Sequence, residues 1–251
     1  MAESVDTNAA VWKSDATAQE WVKSMDARER KRADQLAFMA RLLPFGSDEA
    51  FTVVDLGAGT GAAARAVLDA YPRAEAILAD FSPQMMDQGA RVLAPYEGRY
   101  RYVEFDLRDA AWPAAIPARV GAVLTSQSVH HLPDERKHSL FGEIFERLAP
   151  GGWYVNFDPV KALDPAVEAT WQRVNDTLDP DARHLREHRN PQEELRWQTH
   201  VRYMTDAERQ LEWLRAVGFE AVDVYWKQLD YLIFAGRRPA EGHSRPGSLT
   251  R

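Results

Sequence analysis

The residues of this chain best placed to do chemistry are three aspartates, each closing a short apolar run, and a glycine-rich break after the first of them. Val53-Val54-Asp55-Leu56-Gly57-Ala58-Gly59-Thr60-Gly61 ends an apolar run in an acid and then alternates glycines ahead of an alanine-rich segment. Such a pattern predicts strand, tight turn and helix, with a ligand at the turn: glycine lets the backbone take positive φ or admit a ligand closely, and the helix start offers unpaired N–H groups. A carboxylate at the end of a buried strand costs several kcal/mol unless something pairs with it, so Asp55 calls for a ligand bringing positive charge or several donors. Asp80 lies about 20 residues beyond the glycine turn, the separation at which an acid ending the second strand accepts both hydroxyls of a ribose. Asp106, in Phe105-Asp106-Leu107, is placed to accept from the exocyclic amine of an adenine, with Leu107 against the ring. An aspartate after a strand is also a common turn former, so the argument rests on the joint order and spacing. His130 and His131 follow the fourth apolar run and are the candidates for a general base, the alternative being hydrogen-bonded loop residues.

The elements that must position these residues alternate. Strands are expected at 51–56, 75–80, 100–105, 119–126 and 153–158, with helices at 61–71, after the Ser82-Pro83 cap, and at 134–148. That order predicts an α/β fold, Rossmann-like and doubly wound, with a mostly parallel sheet covered by helices on both faces. A second capping box, Thr205-x-x-Glu208, and a Gly218 stop frame a further helix, and strands near 219–226 and 229–236 are expected to close the sheet as a terminal antiparallel hairpin. The organisation read from this is an N-terminal helical cap (1–46, opened by Thr17-x-x-Glu20), a ligand-binding core (47–159), a helical insertion beside the ligand edge (160–204), the end of the core with the hairpin (205–237) and a flexible tail (238–251).

Composition narrows the classes of function. The 251 residues are 45% hydrophobic and 27% charged, enough for one substantial core with additions. There is no cysteine, which excludes disulfides, thiolate metal ligands and cysteine nucleophiles. A net charge of -7 disfavours a nucleic-acid partner. The basic run Arg28–Arg32 reads as a solvated helix face. No signal-like start and no long apolar stretch is seen, so a cytoplasmic protein without a membrane partner, a monomer or homodimer, is expected.

With these motifs in place, the chain resembles the class I S-adenosylmethionine-dependent methyltransferases. The segments that carry the resemblance are VVDLGAGTG, ILADFSPQMM, YVEFDLRD, VLTSQSVHHLPD and LAPGGWYVNFD within 50–160, and more loosely 205–236. The resemblance implies S-adenosyl-L-methionine as cofactor and S-adenosyl-L-homocysteine as product. It places the methionine end against Asp55, Gly57, Ala58, Gly59 and Gly61, the ribose on Asp80, and Phe81 and Met85 beside the adenosine; Asp106, Leu107, Ser126 and Gln127 complete the expected cofactor site. The implied reaction is in-line methyl transfer to O, N or C of a small, specialised-metabolite acceptor. Trp21, Trp171, His184, Trp197 and Tyr203 are expected to line the acceptor pocket, with Trp12 beside them, although Trp171 continues an apolar stripe of Val160, Leu163, Val167, Val174 and Leu178 for which packing is the favoured reading; His184, His188, His200 and Tyr203 are further candidates for the base. No metal is expected, because Asn156 and Asp158 lack a third ligand at their edge. Competing readings are a nicotinamide-dependent dehydrogenase, since the glycine turn also satisfies a relaxed G-x-G-x-x-G/A pattern, and a non-catalytic relative that binds the cofactor only. The dehydrogenase requires a pyrophosphate beside Asp55, which is electrostatically unfavourable.

Overall fold

The computed structural model describes residues 32–241. Thr17, Glu20, Trp12 and Trp21 lie outside that range. After a helix over 32–41 (α1), strands and helices alternate as β1 Thr52–Leu56, α2 Ala62–Ala70, β2 Glu75–Asp80, α3 Pro83–Val92, β3 Tyr100–Glu104, β4 Val120–Ser126, α4 Asp134–Arg147 and β5 Leu148–Pro159. Three helices fill the insertion, α5 Pro165–Leu178, α6 Pro180–Glu187 and α7 Pro191–Val201, before α8 Ala207–Val217, β6 Glu220–Gln228 and β7 Tyr231–Arg237. The seven strands form one sheet ordered β3-β2-β1-β4-β5-β7-β6, parallel from β3 to β5 and antiparallel at β7. The closing hairpin is therefore folded back, its second strand lying between β5 and its first.

Apolar runs make these strands because both faces of the sheet are covered. Val54 and Leu56 join one buried cluster with Leu140, Phe141 and Ile144 of α4 and Leu214 of α8; Val53 joins the other with Leu36 and Met39 of α1 and Ala63, Ala64 and Val67 of α2. The small residues of α2 let it lie close against β1. Strand order reverses at β1, between β2 and β4, so a crevice opens there outside the carboxyl ends, the position of ligand sites in such sheets.

The structure revises three expectations. β5 begins at Leu148, five residues early, because Val120 pairs with Leu148 and the Pro150-Gly151-Gly152 turn is absorbed as an irregularity before Ala122 pairs with Trp153. Thr205 does not cap α8: Asp206 does, accepting from the Arg209 N–H at 2.8 Å, while Thr205 is buried against Lys137. The apolar stripe expected over 160–178 also divides. Val160 is core and Trp171 packs against it, but Leu163, Val167 and Leu178 are exposed.

Candidate active site

The crevice at the strand reversal is built by the β1–α2 turn, the end of β2, the β3 turn and the segment after β4, with a volume of about 1040 Å³ counted to its open mouth. Asp55, Gly57, Ala58, Gly59, Asp80, Phe81, Met85, Asp106, Leu107, Ser126, Gln127 and His131 all line it. Gly61 lies one turn deeper, at φ 81 as the N-cap of α2. Thr60, Ser128 and Arg108 line it too, though the sequence did not single them out, and so does Arg32, which the basic run had placed on a solvated helix face.

One acid holds the glycine turn. Asp80 accepts the Gly59 N–H at 2.7 Å on one oxygen and the Ser82 N–H at 2.9 Å on the other, tying the turn to the start of α3. The Gly57 and Ala58 N–H groups reach the Ala79 carbonyl, and Gly61 N–H reaches Ala58. Gly57 sits at φ 67, where a Cβ would stand 2.5 Å from that of Ser128. From below, the Tyr102 hydroxyl donates to the Gly59 carbonyl at 3.0 Å, an approach open only because Gly89 has no side chain: a Cβ there would fall 1.8 Å from the Tyr102 oxygen.

Asp55 is 1% exposed; one oxygen accepts the Ala64 N–H at 3.0 Å and the other has no partner. Burial pushes its pKa up to about 7, with the Asp80 charge adding to the rise and the Ala64 hydrogen bond opposing it. Burial also raises Asp80, against three backbone hydrogen bonds. Gln127 follows β4 at φ 58, a left-handed conformation unusual outside glycine, and its buried amide nitrogen has no partner. The crevice thus presents an unpaired carboxylate oxygen and an unpaired amide donor to its contents.

Asp106 is placed as expected but engaged: its carboxylate takes a bidentate grip from the Arg108 guanidinium and also accepts the Arg108 N–H. Arg108 lies 6.0 Å over the Phe81 ring. An Asp-x-Arg pair was the signal for this in the sequence.

Beyond β4, a single turn of 3-10 helix over Val129–His131 carries both histidines. His131 lines the crevice and His130 stands behind it. His130 Nδ1 is 2.6 Å from Asp158 Oδ1, and its backbone N–H donates to Asp158 Oδ2 at 2.8 Å. Its other ring nitrogen lies 3.0 Å from Nδ1 of His200 near the end of α7. Burial, with the charge of Lys137, drives the His130 pKa down to about 3; burial likewise depresses His131 and raises Asp158. Both imidazoles next to the crevice are therefore neutral in the unliganded protein. Lys137, 0% exposed, donates to the Tyr203 carbonyl and to Thr205 Oγ1, fastening the end of the insertion to α4.

The expected acceptor residues separate. Neither Trp197 nor Tyr203 is among the residues that line the crevice: Trp197 stacks on His200 at 5.6 Å and carries Arg189 at 4.2 Å, and Tyr203 is fixed through its carbonyl by Lys137. Trp171 does not line the crevice: it packs on the core under Lys227, continuing an apolar stripe. Nor does His184, which is exposed on α6 beside His188. Asn156 is withdrawn from any ligand role at this edge, since its carbonyl oxygen accepts the Thr125 hydroxyl at 2.6 Å.

Residues 53–152 match the family model described as "Methyltransferase domain". The chain is 29% identical over 224 residues to trans-aconitate 2-methyltransferase of Azoarcus sp. (strain BH72), covering 80% of this chain and 78% of that one. Among solved structures it is similar to an O-methyltransferase family protein from Burkholderia thailandensis, with TM-score 0.66 and 18% identity over 92% of this chain and 62% of the other. Human N-acetylserotonin methyltransferase, solved with S-adenosylmethionine, gives TM-score 0.62 and 14% identity over 95% of this chain and 61% of its own. The chain thus spans less than two thirds of the length of these solved relatives.

Proposed function

We propose that this chain, which carries a methyltransferase domain, is a class I S-adenosylmethionine-dependent methyltransferase and methylates an oxygen of a small organic acceptor held between the crevice and the 160–204 helices. Its cofactor is S-adenosyl-L-methionine, which supplies an electrophilic methyl on a sulfonium. The residues present fit that group. The unpartnered oxygen of buried Asp55 meets an ammonium, Asp80 meets ribose hydroxyls, and the glycine turn leaves room for the chain between them. The observation that carries the reading is the state of the turn's donors. A pyrophosphate needs backbone N–H groups free to receive it, whereas here the N–H groups of Gly57, Ala58, Gly59 and Gly61 are spent on carbonyls and on Asp80, and that of Ala64 on Asp55. What the turn leaves unpaired is an oxygen of the Asp55 carboxyl.

Alignment supplies most of the rate in such a displacement, about 7–11 kcal/mol when the reacting atoms are held in line. In this reading His131 presents its ring to the acceptor oxygen, and His130, clamped by Asp158, is a positioning residue behind it. The acceptor's proton leaves to this histidine cluster or to water, and the methyl replaces it. Arg32 and Arg108 on the crevice wall, together with the trans-aconitate named for one relative, make small organic acids the first acceptors to try.

Calorimetric titration with S-adenosylhomocysteine and with NADH, followed by transfer of labelled methyl to a panel of organic acids and phenols, tests this. The expected result is binding of the adenosyl ligand alone and label in one acceptor class. Tight NADH binding with no response to S-adenosylhomocysteine would overturn it.

A further inference from the structure

Three imidazoles converge at the inner wall of the crevice. The nearest ring nitrogens of His130, His131 and His200 all lie within 4.8 Å of one another. Two come from the turn after β4 and the third from α7, 70 residues further on. With Asp158 on Nδ1, the Nε2 of His130 is turned toward His200. A plain hydrogen bond between those two rings accounts for one pair, but leaves Nδ1 of His131 buried without a partner. A buried polar nitrogen so placed costs about 1–3 kcal/mol, and an ion bound by it removes that cost.

We propose that His130, His131 and His200 form a binding site for one divalent transition-metal ion of the zinc class, with a coordination position open toward the crevice. Bonds of about 2.0–2.1 Å to three imidazoles in tetrahedral geometry set the nitrogens roughly 3.3 Å apart. The 3.0 Å pair is close to this, and the His131 nitrogen, within 4.8 Å of the other two, has to draw in by up to about 1.5 Å. All-nitrogen donors select zinc, cobalt, nickel or ferrous ions over magnesium or calcium, which take oxygen. Asp158 plays the outer part usual for a metal-bound histidine: it accepts from the far ring nitrogen, fixes the tautomer and supplies negative charge. The ammonium of Lys137 opposes a cation here, but it is held toward Tyr203, Thr205 and Asp134. Three protein ligands leave a fourth position, as catalytic zinc sites do. Because His131 lines the crevice, that position faces the acceptor, where the ion binds an acceptor oxygen and promotes loss of its proton. The metal site needs only the three rings; its use on the acceptor rests on the methyl-transfer reading.

The test uses the full untagged chain, stripped with chelator and titrated with Co2+, with visible d–d absorption and equilibrium dialysis as readouts. One ion per chain is expected. His131→Ala and His200→Ala should each weaken Co2+ binding more than about a hundredfold, and Asp158→Asn about 10- to 100-fold, the loss usual for an outer partner. Circular dichroism and thermal melts of the same metal-free samples report that each variant is folded. Absence of a Co2+ spectrum in the wild-type chain, or a titration unchanged in both histidine variants, overturns the site. Co2+ binding in a wild-type chain that ignores S-adenosylhomocysteine would sink the methyl-transfer reading and leave the metal site standing.

Discussion

Asp55→Asn isolates the electrostatics of the crevice. The wild-type carboxyl titrates at about 7 in the folded chain against an ordinary 3.8, because burial outweighs its one hydrogen bond. A carboxyl raised on folding stabilises only while protonated in both states; that stability is complete below about pH 4 and is lost as pH rises through 7. A shift of this size corresponds to about 4 kcal/mol at pH 8, of which about 2–3 kcal/mol develops between pH 5 and pH 8. Asparagine keeps an acceptor for the Ala64 N–H and carries no charge. Its amide nitrogen sits where the aspartate oxygen has no partner, a fixed cost of about 1–3 kcal/mol that does not vary with pH. The gap in melting temperature between variant and wild type should therefore move in the variant's favour by roughly 5–10 °C from pH 5 to pH 8, at about 2–4 °C per kcal/mol for a chain of this size. Scanning calorimetry of the unliganded proteins measures it. In the same samples S-adenosylhomocysteine should bind the variant at least about tenfold more weakly at pH 8, since its ammonium loses a charged partner; wild-type affinity should climb with pH through 7. A gap that stays constant with pH, or that turns against the variant as pH rises, refutes the assignment of Asp55 as a buried charge kept for a cationic ligand.

Asp80→Ala removes the acceptor of the Gly59 and Ser82 N–H groups as well as the proposed ribose contact, so S-adenosylhomocysteine binding should weaken at least about tenfold in a folded protein; an unchanged dissociation constant by calorimetry would remove Asp80 from the site. Trp197→Ala strips the 41%-exposed ring stacked on His200 while touching nothing at the glycine turn. It should raise the acceptor KM several-fold with cofactor affinity nearly intact, and a parallel loss of both would make α7 a merely structural element.

What could be read from the chain was local, and what escaped was assembled over distance. The β1 acid, the glycine break and the Ser82-Pro83 cap each declare themselves within a few residues, because backbone conformation and capping are settled by neighbours; Ser82 indeed accepts from the Met85 N–H. The fold followed from alternation, since helices packed on both faces force near-continuous apolar strands. Lys137 escaped because a lysine in an amphipathic helix reads as surface; the Tyr203 carbonyl and Thr205 hydroxyl, 66 and 68 residues on, together with Asp134, make burial tolerable. His200 was one polar residue among many in a polar stretch until α7 brought it to His130. Trp171 was legible in the other direction: it continued an apolar stripe, and packing on the core is what the structure shows.

The crevice concentrates the unmet bonding of the molecule. Among the described residues seven buried side-chain atoms lack a hydrogen-bond partner, and three of them, on Asp55, Gln127 and His131, line this one space. Each such atom costs about 1–3 kcal/mol, so a set of three in a single cleft is expensive unless a ligand resolves it. The three differ in kind: an acid oxygen wants a cation, an amide nitrogen an acceptor, an imidazole nitrogen a proton or a metal. No single small ion satisfies them together. In the proposed function a nucleoside bearing an ammonium, with an acceptor oxygen beyond it, would meet them in the order in which the chain presents them, from β1 across to the turn after β4. The buried acid at Asp55 both costs stability and selects a cation, which is why relieving the first should erode the second.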